Sequence, residues 1–229
     1  MKNGAAPRLI VAVPVKDLKH AKQRLTQALT ADERSQLARA MLRDVLTALA
    51  ATRVDRVWVV TRDPAATAIA RELGAQPMSE SENRGHTAAV ALAQAAAMRD
   101  GTRGFLTVPG DVPCVTADEL AQVIDAVRER APVFVPSRSG LGTNGVALMP
   151  PDAMPLTFGE PSFARHLATA RQRGLEPRVL SLPGLGLDVD APDDLAALLA
   201  EPSTTETTLL VARWRDRIAA KPHTAGQNR

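Results

Sequence analysis

Residues 104–115 read GFLTVPGDVPCV. Phe105, Leu106 and Val108 stand in a run too short for a helix and apolar on both faces, the pattern of a strand buried on both sides in a parallel sheet. The strand then enters Gly110-Asp111, held between Pro109 and Pro113, residue types that end a strand and turn the chain. Ser or Asn would make that turn equally well. A carboxylate just past the carboxyl end of a buried strand therefore points to a bound cation.

Working outward, short Val-rich runs recur at 9–15 (LIVAVPV), 56–61 (RVWVVT), 132–136 (PVFVP) and 178–182 (RVLSL). They read as strands. Between them, segments 31–51, 64–73, 86–99, 116–130 and 162–173 carry helical period. The first opens on a capping-box pair, Thr30 and Glu33, and continues with Leu37, Met41, Val45 and Leu49 at four-residue steps. Alternating strands and helices predict an α/β fold: one domain with a mostly parallel central sheet, helices on both faces, and ligands beyond the carboxyl ends of the strands. Residues 137–161 break the pattern with Gly and Pro, carry one short strand at Val146–Met149, and read as a functional insertion. The main domain is placed at 1–200. The extension 201–229 is expected to form a short amphipathic helix with Leu209, Leu210 and Trp214 near one side, then a disordered tail from Lys221.

A chain of 229 residues with 45% hydrophobics can bury one substantial core. It has no run of about 18 apolar residues to span a membrane. Its first residues, MKNGAAPR, lack the apolar stretch of a secretory signal, so a cytoplasmic location is expected. The single cysteine, Cys114, excludes an internal disulfide and any multi-cysteine zinc site. The net charge is +3, but 28 basic residues are interleaved with 25 acidic ones. With no Tyr, four Phe and two Trp to stack bases, nucleic acid is not the expected partner; small anionic ligands are.

Three motifs carry chemistry. GLGTNG, Gly140 to Gly145, matches the spacing of the dinucleotide fingerprint, but the VALMP that follows is a strand signal where a helix is needed, so a Rossmann site is rejected. VPVKDLKHAKQRL, 13–25, sets Lys16, Lys19, Lys22 and Arg24 past the first strand, where cations can neutralise phosphates; no phosphate-binding P-loop is present. Gly110-Asp111-Val112-Pro113 pairs with Leu187-Asp188-Val189-Asp190-Ala191-Pro192. Each acid has a local explanation, Asp111 as a turn residue and Asp190 as a helix N-cap. Brought side by side by a parallel sheet, the two clusters instead offer hard oxygen ligands to magnesium, which takes one or two carboxylates plus substrate phosphates. No G-x-S-x-G elbow appears, and His20, His86, His166 and His223 lack metal-ligand spacing, so a protein nucleophile is not expected. His86 and His166 read as structural or surface imidazoles. Ser162 could cap a helix and offer its hydroxyl to an anion.

The ordered set VPVKDLKHAKQRL, GDVP, a Gly-Thr loop, FGEPSFARH and LDVDAPDDL, spanning about Leu9 to Leu199, resembles the CofC/FbiD guanylyltransferases of deazaflavin coenzyme biosynthesis. That family is similar to the molybdopterin guanylyltransferases and their nucleotide-diphospho-sugar transferase-like domain. The resemblance implies that GTP is joined to 2-phospholactate, phosphoenolpyruvate or 3-phosphoglycerate with release of pyrophosphate, and that the product passes to a downstream deazaflavin-transferring enzyme. It implies magnesium on Asp111, Asp188 and Asp190, with Lys22, Asp111 and Asp190 as the catalytic group. Lys16, Arg24, Thr143, Gly159 and Ser162 would bind the phosphorylated acid or its phosphate, and Val13, Pro14, Pro109 and Gly110 the nucleotide. Asn83 to Thr87 is the candidate guanine region, although Arg84-Gly85-His86-Thr87-Ala88 departs from the Asn that relatives carry before this helix. A second copy of the chain is a candidate partner through Trp214. Two other readings stay open: a nucleotidyltransferase with a molybdopterin or sugar phosphate acceptor, and a non-catalytic module that binds nucleotide or nucleic acid.

Overall fold

The computed structural model describes residues 9–80 and 84–219. Seven strands form one sheet among them: β1 Leu9–Pro14, β2 Arg56–Val60, β3 Gln76–Met78, β4 Gly104–Thr107, β5 Val133–Pro136, β6 Thr143–Leu148 and β7 Arg178–Val179. Their order is β3-β2-β1-β4-β6-β5-β7. β1 pairs in parallel with β2 and β4, β2 with β3, and β5 with β7, while β6 runs antiparallel to both β4 and β5. The helices are α1 Ala31–Ala50, α2 Pro64–Glu72, α3 His86–Arg99, α4 Ala117–Ala126, α5 Ser162–Gln172, α6 Pro183–Gly186, α7 Pro192–Ala200, α8 Glu206–Ala212 and α9 Arg215–Ala219.

The apolar runs continue without alternation because β1 and β4 are covered on both faces. Val11 and Val13 point into one core with Leu37, Met41, Val45 and Leu49 of α1; Ile10 and Ala12 point into the other with Val90, Ala93 and Ala97 of α3. Thr30 and Glu33 close the expected capping box of α1. A second box, Thr116 with Glu119, starts α4.

Several boundaries differ from the sequence expectation. α4 stops at Ala126 because the chain turns back at Arg128–Ala131, where a bridge and the left-handed Arg130 (φ 63°) replace the last helical turn. β6 begins at Thr143, three residues earlier than its apolar stretch, since Pro136 and Val135 of β5 supply partners for Thr143 and Gly145. β7 keeps only two of its five residues. β3, QPM, carries no apolar run to announce it and exists by pairing with β2.

The C-terminal segment packs on the chain's own α1. Glu206 and Thr207 donate their backbone N–H groups to the carboxylate of Asp44 at 2.9 Å each, Val211 is buried, and Trp214 packs partly buried on the same core. The expected tail from Lys221 lies outside the described residues. No helix among the described residues is long and apolar enough to cross a membrane.

Candidate active site

The site lies along the edge where β1, β2, β3 and β4 end and β6 begins. After β1, Val15 N–H still donates to Val60 O (2.9 Å), then Asp63 accepts from Leu18 N–H (2.8 Å) and Asp17 from Lys19 N–H (2.7 Å), which fixes a loop without glycine. Lys22 follows in a left-handed conformation (φ 56°, ψ 44°) at the start of a single 3-10 turn, Gln23–Leu25. A non-glycine residue pays a steric penalty there and holds it only where its surroundings demand it.

The demand is visible in its side chain. Lys22 Nζ donates to Asp111 Oδ2 and to Asp190 Oδ1, both at 2.6 Å, with its own side chain only 7% exposed. The two acidic clusters, 79 residues apart in the chain, therefore meet around one cation. Burial alone would lower the lysine pKa, but the two carboxylates outweigh it and the net shift is upward. Burial pushes the Asp190 carboxyl up, and the ammonium more than reverses this, leaving it below the ordinary range. Lys22 stays charged as the clamp between them.

Tertiary contacts bring the clusters together. Val189 N–H donates to Asp111 O (3.1 Å), zipping the two loops through one backbone bond. Buried Glu119 accepts from Gly184 N–H (2.8 Å) and Leu185 N–H (3.0 Å), so the cap of α4 also anchors the segment leading to Asp188. At Gly184 a Cβ would stand 2.2 Å from Cys114 O, so only glycine lets these segments touch. Asn144 donates one amide group toward Leu185 O, Gly186 O and Asp188 Oδ1 at 3.0–3.1 Å. Asp188 is pushed upward in pKa by burial, against the Asn144 bond, and the nearby Asp111 and Asp190 add to the rise.

Both local explanations of the acids give way. Asp190 is not the N-cap of α7: Ala191 holds that position, and Asp194 Oδ2 reaches back to Asp190 N–H (3.0 Å) and Ala191 N–H (2.8 Å), freeing the Asp190 side chain for the site. Asp111 bonds through its side chain to Lys22 rather than to its own turn.

Beside this group opens a cavity of about 510 Å³ lined by Pro14, Lys16, Lys22, Pro109, Gly110 and Asp111, among others. Val13 lies inside β1, fully buried in the core, and its side chain packs where a Gly110 Cβ would stand, 3.6 Å away. Lys16 and Arg24 are exposed, and Arg24 is near enough to Asp190 to favour its charged form. His86 lines the cavity, with a pKa pulled down to about 4 by burial, so it is a neutral imidazole at pH 7. Asn83 lies outside the described residues, while Thr87 accepts Phe158 N–H at 2.9 Å.

On the β6 side, Thr143, Ser162 and His166 converge. Thr157 N–H donates to His166 Nε2 (3.0 Å), which fixes the tautomer: Nδ1 carries the proton and donates to Thr143 Oγ1 (3.0 Å). Ser162 Oγ donates to the same oxygen at 3.2 Å. With its oxygen accepting twice, the Thr143 hydroxyl is left to donate its own proton to a ligand. Gly159, in a positive-φ turn (98°), is exposed nearby, and its carbonyl accepts from Arg165. His166 thus does more than fill space. His166 is the structural imidazole that the sequence suggested, whereas Asn144 and Glu119 were missed, and only the Thr116/Glu119 capping spacing carried any signal for them.

His166 is 1% exposed, and burial pulls its pKa down to about 4. The unfolded chain binds the proton below an ordinary value of 6.5, so its contribution is complete above that pH and lost as pH falls toward 4. Between pH 7.5 and 4.5 this one group is expected to remove roughly 2–3 kcal/mol of stability. Urea unfolding of the wild type and of His166→Gln across that range should give a visibly shallower pH dependence in the variant; parallel curves would exclude His166 as the titrating group.

The donor set offers magnesium two carboxylates. Among the described residues no three His, Cys, Asp or Glu side chains are grouped closely enough to hold a metal ion by themselves. Lys22, however, uses one oxygen of Asp111 and one of Asp190, leaving a second hard oxygen on each. Magnesium keeps waters and substrate phosphates in its shell and needs only one or two carboxylates, so the residues fit it.

Known proteins resemble this chain in sequence and in fold. Residues 9–227 match the model of a family described as "Guanylyl transferase CofC like". A protein of Conexibacter woesei named phosphoenolpyruvate guanylyltransferase is 42% identical over 189 residues, 81% of this chain and 85% of that one. One of the same name from Sphaerobacter thermophilus is 43% identical over 190 residues, covering 82% and 91%. Among solved structures, one from Desulfovibrio desulfuricans G20, described as a nucleotide-diphospho-sugar transferase, superposes with a TM-score of 0.77 at 16% identity over 93% of this chain and 97% of that one, a likeness of fold.

Proposed function

Since the chain belongs to the family of CofC-like guanylyl transferases, we propose that it joins GTP to phosphoenolpyruvate, or to 3-phosphoglycerate or 2-phospholactate in the same pocket, releasing pyrophosphate. The product is then consumed by an enzyme of deazaflavin coenzyme assembly. The observation that carries this reading is the meeting of Lys22, Asp111 and Asp190 at the rim of the cavity.

The chemistry explains why no general base is needed. A phosphomonoester has its second pKa near ~6 and is largely dianionic at neutral pH. One of its oxygens attacks the α-phosphorus of GTP, forming the new P–O bond of a diphosphate. The bond from that phosphorus to the bridging oxygen of the β-phosphate breaks, and its electron pair leaves on pyrophosphate. No proton has to move, so neutral His86 and His166 suffice. The task left to the protein is to align two anions and stabilise the charge that develops. Lys16 lines the approach to the cavity, Lys22 sets the two aspartates, and Thr143 with Ser162 and Gly159 receives the acid. Magnesium held by Asp111 and Asp190 together with substrate phosphates would supply the neutralisation of charge on the leaving group, Asp188 being engaged by Asn144.

A pyrophosphate-release assay with GTP, magnesium and each of the three acids, with product masses recorded, tests this. A guanylyl diphospho-acid is expected, fastest with phosphoenolpyruvate, and far slower with ATP, CTP or UTP. Release that does not depend on a three-carbon acid, or product formed only when a sugar or molybdopterin phosphate is supplied in place of the acids, would replace this reading.

A further inference from the structure

A second cavity, of about 540 Å³, opens on the other side of the loop after β1 and shares Val15, Lys16 and Asp17 with the first. Its far walls come from the ends of β2 and β3: Arg62, Asp63 and Glu80. Glu80 stands two residues beyond β3, is 8% exposed, and has no hydrogen-bond partner among the described residues. Burial pushes its carboxyl up in pKa, and the charges of Arg62 and Lys16 offset that only in part. A carboxylate so deeply set, with cations close by yet none bonded to it, is an acceptor open toward the cavity.

The sheet order says which part of a substrate reaches it. Across the functional edge, β3 and β2 precede β1 and β4, which carry Lys22 and Asp111, and β6 with Thr143 lies beyond. On the proposed reaction, the acid sits toward β6 and the triphosphate at Lys22 and Asp111, which leaves the β2 and β3 end for the nucleoside. Guanine presents two adjacent donors, N1–H and the C2 amino group, where adenine presents an acceptor and a C–H. An ionised carboxylate accepts both and repels adenine N1.

Resting on that reading, we propose that Glu80 is the guanine-reading residue of this chain, accepting from N1–H and the C2 amino group, with Lys16 or Arg62 placed to donate to the base's carbonyl oxygen.

Affinity and turnover of the full chain with GTP, inosine triphosphate, which lacks the amino group, and xanthosine triphosphate, which has a carbonyl there, test this. Wild type is expected to favour GTP over inosine triphosphate by about 10- to 100-fold, the scale of one hydrogen bond to a charged group. Glu80→Gln should abolish that preference and gain use of xanthosine triphosphate, because its amide can donate to the new carbonyl. Equal binding of GTP and inosine triphosphate by wild type, or a preference unchanged in Glu80→Gln, would overturn the assignment. Direct binding keeps the two questions apart: a wild type that selects guanine nucleotides but forms no product refutes the proposed reaction and leaves Glu80 in place, whereas turnover without selection at Glu80 does the reverse.

Discussion

Asp111→Asn is expected to lower kcat by about a hundredfold or more, the scale of losing one preorganised electrostatic group, with the far-UV circular dichroism unchanged. The amide can still accept from Lys22, and the backbone bond from Val189 to Asp111 O does not involve the side chain, so the two loops stay joined. What disappears is one unit of negative charge at the point where Lys22 and Asp190 meet. Lys22 would then face a single carboxylate, and a cation brought by the substrates would find one hard ligand fewer. The loss should therefore fall on kcat rather than on folding. Steady-state rates beside a circular dichroism spectrum decide it, and near-normal turnover in a folded variant would remove Asp111 from the chemistry.

Lys22→Ala should cost at least as much activity, by a different route. Removing one partner of a fully buried ion pair destabilises by roughly 3–5 kcal/mol. Here the carboxylates keep 29% and 44% of their side-chain exposure, so water can replace part of what the ammonium supplied, and the loss of stability should be smaller than that. The site suffers more. Asp111 and Asp190 would repel each other and part, taking the cavity rim with them, so kcat/KM should fall by about a hundredfold or more. The split between constants separates two roles: a lysine that grips substrate phosphate raises KM on removal, whereas one that holds the aspartates lowers kcat. The two bonds at 2.6 Å favour the second. Lys22→Arg should fail to restore the rate, because a planar fork does not reproduce a point charge between two carboxylates. Unchanged kinetic constants in the alanine variant would take Lys22 out of the site.

Much of this was legible before any coordinates. Runs such as LIVAVP, and GFLT up to its Thr107, are apolar without alternation because both faces are buried, and α1 announces its cap and its buried stripe within twenty residues. These are local signals, written in period and turn chemistry. Strand β3 was not legible, since a three-residue edge pair depends on the neighbour that supplies its hydrogen bonds. Asp190 shows the same limit in the site: by spacing it looked like a helix cap, and only the reach of Asp194 to the α7 terminus showed that its charge was free for another use.

The order of strands and helices apart from β3, the ligand-facing edge and the identity of the acids were thus determined by the sequence alone, because each depends on neighbours a few residues away. The tertiary structure decided which charges meet. Lys22 neutralises acids 89 and 168 positions distant, Glu119 and Asn144 hold a segment from another part of the chain, and Glu80 faces a cavity built by three strands. Electrostatic attraction depends on distance through space, which the chain order does not encode until the sheet has folded.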